Sequence, residues 1–177
     1  LAEAYTGQIK VLPRGGVYAI LLVTVFDTHN AKAGIYAMQE VMQRTGKDIP
    51  LMLSATVNDT SGRLLSGQTL EAFLISVSHA PLLSIGLNCS FGAGQMLPVL
   101  RNLHRMLTDR AGESGQRPFI SCHPNAGLPN SMGQYDVTPD LFAQSISPML
   151  EEGLVDIIGG CCGTTPEHIK AVVDLCR

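Results

Sequence analysis

One stretch of the sequence points to both the fold and the chemistry: Ile157-Ile158-Gly159-Gly160-Cys161-Cys162-Gly163-Thr164-Thr165-Pro166-Glu167-His168. An apolar strand stops there, glycines follow, and a threonine followed by proline is typical of a helix start. Parallel α/β folds place their functional groups at such junctions. A ring between Cys161 and Cys162 would be strained because the peptide between them is planar and trans. The pair therefore favours a soft metal ion that binds thiolates.

The composition predicts one globular unit over residues 1–177, since 45% of the residues are hydrophobic and 15% are charged. A net charge of -3 provides no basic field, so we expect neither a nucleic acid nor an anionic membrane surface as partner. No window approaches the ~20 apolar residues of a spanning helix, and no signal-peptide pattern is present at the N-terminus. We therefore expect a cytoplasmic protein, and the start at Leu1 suggests a piece of a longer chain.

Five cysteines, an odd number without an export signal, argue against a disulfide framework and leave metal-binding or nucleophilic roles open. A thiol redox protein has little support because the sequence contains no Cys-x-x-Cys.

Apolar runs alternate with helical patterns about five times along the chain. The predicted strands are Val17–Phe26, Ile49–Val57, Leu82–Cys89, Pro118–Cys122 and Leu154–Gly160. The predicted helices are Asn30–Arg44, Thr69–Ser78, Gln95–Asp109, Pro139–Glu151 and Pro166–Cys176. Strands that are apolar on both faces and separated by helices indicate a parallel sheet.

Two architectures fit this alternation. A (βα)8 barrel normally needs eight units and about 250 residues, more than this chain contains. The sheet is therefore either an open, doubly wound one or the C-terminal part of a barrel.

Unusual residues follow three of the predicted strands. They are Asn88 and Cys89, then Cys122, His123 and Asn125, and finally Cys161 and Cys162. Because the carboxyl ends of parallel strands share one rim, these side chains are expected to lie together. Three thiolates from Cys89, Cys161 and Cys162 would hold zinc with the fourth position open, as in catalytic sites. Such an ion keeps an incoming thiol deprotonated at neutral pH, and the matching chemistry is alkyl transfer to sulfur.

Other candidates are better explained by structure. Cys122 is not needed once three thiolates are present, and Cys176 falls in the last helix, so both are interpreted as packing residues. His123 and His168 are interpreted as local hydrogen-bonding or surface residues. The loop around Gly62 and Gly67 is explained equally well by turn chemistry or by substrate binding.

At these residues the chain resembles the homocysteine-binding domain of the cobalamin-dependent methionine synthases. The matching motifs are Phe26-Asp27-Thr28 with Asn30-Ala31-Lys32-Ala33, Ser61-Gly62-Arg63 with Leu65-Ser66-Gly67-Gln68-Thr69, Gly86-Leu87-Asn88-Cys89, His123-Pro124-Asn125-Ala126-Gly127-Leu128-Pro129-Asn130 with Tyr135-Asp136, and Gly159-Gly160-Cys161-Cys162-Gly163-Thr164-Thr165-Pro166. The last motif also suits betaine- or S-methylmethionine-dependent homocysteine methyltransferases, whereas residues 124–130 favour the cobalamin-dependent family.

The resemblance implies the last five units of a (βα)8 barrel, in which Cys89, Cys161 and Cys162 hold zinc and homocysteine supplies a fourth sulfur. Its thiolate would attack the methyl group of methylcobalamin in an SN2 displacement, giving methionine and reduced cobalamin. The resemblance places methylcobalamin on a separate domain, and a folate-binding domain elsewhere, in a longer chain. In the family, the position of Asn125 covers the zinc when substrate is absent. We expect Thr24, Asn88 and Asn125 to contact the substrate.

Two departures from the family pattern matter. The pair Val23-Thr24 stands where the family has Glu-Thr, so the carboxylate expected to hold the amino group of homocysteine is lost. The three preceding βα units, with an acidic residue after the first strand, have no counterpart in these 177 residues. A non-catalytic zinc-binding or interaction module, with its open edges covered by a partner or a second copy, is therefore an alternative hypothesis.

Overall fold

The computed structural model describes residues 1–177, except the side chain of Ser114. Helices and strands alternate along the described chain in the order α1 (Ala2–Val11), β1 (Ile20–Val25), α2 (Thr28–Thr45), β2 (Leu51–Ala55), α3 (Leu70–Val77), β3 (Leu82–Gly92), α4 (Ala93–Ala111), β4 (Phe119–Asn125), α5 (Pro139–Glu151), β5 (Ile157–Ile158) and α6 (Pro166–Leu175). Every predicted strand and helix is present. None of the helices described is long and apolar enough to cross a membrane.

Helix α1 is the element that the sequence patterns did not predict. It buries only Thr6 and Ile9, so its apolar periodicity is faint, and it is held by packing against α2.

Strand order excludes the doubly wound alternative. All neighbouring strands are parallel, and the order β1-β2-β3-β4-β5 follows the chain without reversal. Right-handed crossovers that always advance in one direction place all the connecting helices on the same face. A doubly wound sheet would instead reverse its order and carry helices on both faces. The five βα units therefore form an arc of a (βα)8 barrel.

One face of this arc carries the core. Leu22, Leu53, Ile85 and Ile120 occupy one register row across four strands, each at most 6% exposed. A Cβ added at Gly34 of α2 would touch the Leu22 side chain, so this row faces the helices. Burial of such a row between a sheet and its helices is the main source of stability of the fold.

The opposite face is only partly covered. Leu21, Val23 and Phe119 are 39%, 51% and 50% exposed, and the small side chains of Ser54 and Ser121 lie on the same face between them. Among the described residues, β1 and β5 each have a strand on one side only. In a closed barrel this face would be the interior.

Strand β5 is shorter than predicted, covering two residues instead of Leu154–Gly160. It is fixed at its start by Asp156, whose carboxylate accepts a hydrogen bond from the Ile120 amide (2.7 Å) and one from the Arg117 guanidinium (2.6 Å). After β5 the glycines end the regular ladder. Single backbone bonds continue the attachment to β4, including Cys161 N–H to the Pro124 carbonyl at 2.8 Å.

Candidate metal centre

Three thiols meet at the carboxyl ends of the strands. Cys89 lies in β3, whereas Cys161 and Cys162 follow β5. The Sγ atoms of Cys89 and Cys162 are 3.6 Å apart, those of Cys161 and Cys162 are 3.9 Å apart, and all three lie within 4.8 Å of one another. Four ligands at about 2.3 Å from a tetrahedral ion would be about 3.8 Å apart, so the spacing fits zinc with one position left for another ligand.

The charges of the cluster explain why it suits a cation. Desolvation opposes ionisation of Cys89, but hydrogen bonds from the Ser90 amide, from the other two thiols and from Asn125 outweigh it and lower the pKa of Cys89. The pKa of Cys161 is raised to about 11, first by desolvation and then by the charges of Cys89 and Cys162. A divalent cation removes this repulsion, so the three groups can all be thiolates when it is bound.

The turn that carries the vicinal pair is tightly closed. The Cys161 carbonyl accepts hydrogen bonds from the Thr164 amide (3.2 Å) and the Thr164 hydroxyl (2.7 Å). Gly163 has φ +77°, a conformation that other residues rarely adopt. The closed turn directs both thiols towards Cys89.

Asn125 lies beside the cysteine turn, and its expected roles of covering the zinc and contacting the substrate remain predictions. Asn125 is 4% exposed, its Oδ1 accepts from the Cys162 amide at 3.1 Å, and its side chain helps to lower the pKa of Cys89. The residue thus fixes the cysteine turn to the end of β4.

Asn88 holds the ends of three strands together. Its Oδ1 accepts from the Thr24 amide (3.1 Å) and the Ser54 hydroxyl (2.7 Å), and its Nδ2 donates to the Thr24 hydroxyl (3.0 Å). Since Asn88 is only 1% exposed, its polar atoms are directed at neighbouring strands. The expected contacts of Asn88 and Thr24 with substrate remain predictions.

The backbone is strained at this rim. Thr24, Cys89 and Ser90 have φ values of 60°, 61° and 64°, in the left-handed region that favours glycine. Strained residues cluster at functional sites, where the surrounding contacts hold them in place.

A cavity of about 230 Å³ lies beside the strained residues. Its lining includes Thr24, Phe26, Thr56, Cys89, Ser90 and Phe91. The Thr56 hydroxyl is buried and has no hydrogen-bond partner among the described residues. The cavity is smaller than drug-sized pockets and suits a small thiol.

The residues interpreted as structural lie outside the cluster. Cys122 is fully buried in the core, where desolvation raises its pKa to about 12, and Cys176 is exposed at the end of α6. His168 closes a capping box with Thr165, and its Nε2 is 2.8 Å from the Val137 carbonyl. His123 is half-buried, and desolvation lowers its pKa. Its buried Nδ1 has no hydrogen-bond partner among the described residues, so the interpretation of His123 as a local hydrogen-bonding residue is wrong at this atom.

Val23 is exposed on the open face of the sheet, next to Thr24. The expected loss of a counter-charge for the substrate ammonium group at this position remains a prediction.

The structure adds one residue at the cluster to which the sequence assigned no role. The Tyr135 side chain packs against Gly163, the residue after Cys162, and the pKa of Tyr135 is raised by desolvation, then by Cys162 and by the charges of the other two thiols. Tyr135 is 27 residues from Cys162 in a loop, so no local periodicity could have paired the two.

Comparison with known families agrees with this geometry. The family model described as homocysteine S-methyltransferase matches residues 1–176, nearly the entire chain. The matched range contains all three thiols and every strand of the arc. The chain therefore belongs to the homocysteine S-methyltransferase family.

Proposed function

We propose that this chain is the zinc-binding, homocysteine-activating part of a methionine synthase that takes its methyl group from methylcobalamin. The observation that carries the zinc site is the spacing of three thiols, 3.6 and 3.9 Å between Sγ neighbours, at the strand ends of a homocysteine S-methyltransferase family member. Zinc bound there would supply an open coordination position at which the acceptor thiol is held as a thiolate.

The chain's own residues orient the reactants. Cys89, Cys161 and Cys162 would hold the ion, and Asn125 fixes the cysteine turn to the end of β4 by accepting from the Cys162 amide. The cavity beside Cys89 leaves room for the rest of the acceptor. The homocysteine thiolate would attack the methyl group of methylcobalamin brought to this rim, so that the S–CH₃ bond forms as the Co–CH₃ bond breaks and reduced cobalamin leaves.

The cobalamin donor is supported by a narrower observation. Residues 124–130 carry the pattern that favours the cobalamin-dependent family over betaine- or S-methylmethionine-dependent enzymes. These residues run from the end of β4 into the loop that follows it, where the Ala126 amide donates to the Cys162 carbonyl at 2.9 Å. A loop in this place can form part of the surface that meets the methyl donor.

Metal analysis tests the zinc site. Purified protein is expected to contain one zinc per chain, and Cys89→Ala and Cys161→Ala are each expected to lower the affinity at least 100-fold because a thiolate ligand is lost. Cys176→Ala, at the exposed end of α6, is the matched control and should retain zinc. Stoichiometric zinc in both cluster variants would overturn the site.

A donor panel tests the second half of the proposal. Zinc-loaded protein is incubated with homocysteine and either methylcobalamin, betaine or S-methylmethionine, and methionine is quantified. Methionine formed with methylcobalamin supports the proposal. Methionine formed only with betaine or S-methylmethionine would contradict the proposal and assign the chain to the enzymes that use that donor.

The exposed apolar side chains of Leu21, Val23 and Phe119 favour one alternative, a non-catalytic zinc module that docks a partner or a second copy. A tight oligomer that binds zinc but does not catalyse alkylation of homocysteine would support this alternative.

A further inference from the structure

The loop between β2 and α3 forms one wall of the cavity beside Cys89. We call residues 57–69 the cavity loop. Both its start and its middle reach the cavity, since Val57, Asn58 and Leu65 are among the lining residues. Leu65 lines the cavity and is nevertheless 64% exposed, so it forms the outer part of this wall.

Hydrogen bonds within the cavity loop fix its shape. The Gly67 amide donates to the Leu64 carbonyl at 2.8 Å, and the Leu64 amide donates to the Gln68 carbonyl at 2.9 Å. The Arg63 guanidinium donates to the Gly67 carbonyl at 2.9 Å, and Gly67 has φ 82°, a conformation that suits glycine. These bonds close a tight turn that presents Leu65. Turn chemistry and a place at the cavity therefore occur together in this loop.

Gln68 ties the turn to the start of α2. Its Oε1 accepts hydrogen bonds from the Thr28 hydroxyl at 2.5 Å and from the Thr28 amide at 3.3 Å. Thr28 is a buried residue of α2 and not part of the loop. At the other end of the cavity loop, the Ser90 hydroxyl donates to the Val57 carbonyl. The turn that carries Leu65 is therefore held against the cavity from both sides.

The lining of the cavity suits the aliphatic part of an acceptor. Phe26, Val57, Leu65 and Phe91 supply apolar side chains, and the described lining contains no Asp, Glu, His, Lys or Arg. Cys89 lines the same cavity, so an acceptor whose sulfur binds an ion held by Cys89 can place its methylene chain among these side chains. Burial of each methylene group strengthens binding about 4-fold.

We propose that Leu65 is a specificity-determining residue that contacts the methylene chain of the acceptor thiol, and that Gln68 is the positioning residue that holds Leu65 there. The inference rests on the proposed function and adds to it the part of the acceptor that this cavity recognises. The cavity selects small aliphatic thiols by their carbon chain. The charged amino acid group of homocysteine lies outside it.

Leu65→Ala tests the contact with three acceptors. They are homocysteine, 1-propanethiol, which keeps the carbon chain without the charged groups, and methanethiol, which has no methylene group. Affinity for the zinc-loaded protein is measured by calorimetric titration. We expect the variant to bind homocysteine and 1-propanethiol about 3–5-fold more weakly and methanethiol equally well, because only the chain reaches Leu65. Leu141→Ala, in an exposed side chain of α5 outside the cavity, is the matched control and should leave all three affinities unchanged.

Two substitutions test the positioning role of Gln68. Gln68→Met keeps the length of the side chain but removes the acceptor for Thr28, so it should reproduce the pattern of Leu65→Ala. Gln68→Glu keeps an oxygen that accepts from Thr28 and should retain the wild-type affinities. Hydrogen exchange of the metal-free protein provides a readout that needs no zinc. The Leu64 and Gly67 amides should exchange about 10-fold faster in Gln68→Met and at the wild-type rate in Gln68→Glu.

The remaining outcomes are distinct. In Leu65→Ala, an equal loss for methanethiol and 1-propanethiol, a loss for homocysteine alone, or no loss at all would overturn this inference and leave the proposed function standing. Wild-type affinities and exchange rates in Gln68→Met would overturn the positioning role. Wild-type protein that takes up no zinc, or that binds no thiol when loaded, would overturn the proposed function, and the inference with it.

Discussion

The same strands build two regions of the molecule, the layer between the sheet and its helices and the rim at the carboxyl ends of the strands. The two regions differ in burial, in backbone conformation and in the pKa of their cysteines. In the layer, Leu53 and Ile120 are fully buried in regular strands, and a cysteine there, Cys122, has its pKa raised to about 12. On the rim, Cys89 is half-buried in a left-handed backbone, and hydrogen bonds lower its pKa. The layer is shaped for folding, whereas the rim holds strain and charge that a bound ion would relieve.

The largest expected effect is in the layer. Leu53→Ala should lower the free energy of unfolding by about 2–5 kcal/mol, because the fully buried side chain leaves a cavity between sheet and helices. Denaturant unfolding followed by circular dichroism measures the change. Leu65→Ala, at a side chain that is 64% exposed, is the control and should stay within about 0.5 kcal/mol. Equal losses in the two variants would contradict the division between layer and rim.

The second prediction concerns Asp156, which fixes the start of β5 at the end of the strand opposite the rim. Desolvation opposes ionisation of Asp156, but bonds from Arg117 and the Ile120 amide lower its pKa, so the carboxylate stabilises the fold above about pH 4 and this stabilisation is lost as the pH falls through the lowered pKa. Asp156→Asn should cost about 1–2 kcal/mol at pH 7 and progressively less in acid. The measurement is urea unfolding at pH 7 and pH 3.

Asp174→Asn is the matched control for Asp156→Asn, since its ion pair with Lys170 is exposed. It should change the free energy of unfolding by less than about 0.5 kcal/mol. A pH-independent loss in Asp156→Asn would show that the carboxylate charge is not what anchors β5.

Strain on the rim predicts a gain in stability when the site is damaged. Cys89→Gly should raise the free energy of unfolding of the metal-free protein by up to about 1 kcal/mol, because glycine adopts φ 61° without steric cost. Cys161→Gly removes a thiol from the same cluster at a position outside the left-handed region, so it should only destabilise. Thermal unfolding without metal compares the two, and a loss in Cys89→Gly as large as in Cys161→Gly would argue against stored strain.

The smallest expected effect concerns Val23, which is 51% exposed and can be replaced by a charged residue without burial. Val23→Glu should tighten homocysteine binding to the zinc-loaded protein about 2–5-fold, the range of a partly exposed ion pair. Calorimetric titration measures the affinity, with Val23→Gln as an uncharged control of similar size. Equal homocysteine affinity in Val23→Glu and Val23→Gln would show that a carboxylate at this position does not bind the substrate ammonium group.

Much of the fold could be predicted because its signals are local. The alternation of apolar runs and helical patterns predicted all five strands and the five helices that follow them. The predicted starts of α5 and α6 were confirmed, with Thr138 and Thr165 at the N-caps and proline in the first helical position. Helix α1 was missed because a helix that buries two side chains carries little periodicity. Strand β5 was predicted too long because Leu154 and the glycines extend the apolar pattern beyond its regular ladder.

The local sequence identified the thiols and amides of the candidate site, because neighbouring residues signal where a strand ends and the next helix begins. It could place Cys161 beside Cys162, but Cys89 joins them only because parallel strands end at one rim. Strand order chose a barrel arc over a doubly wound sheet, a choice that depends on contacts between distant segments. The same holds for Tyr135 on Gly163 and for the Asn88 bonds that fix Thr24, because each requires side chains brought together by packing.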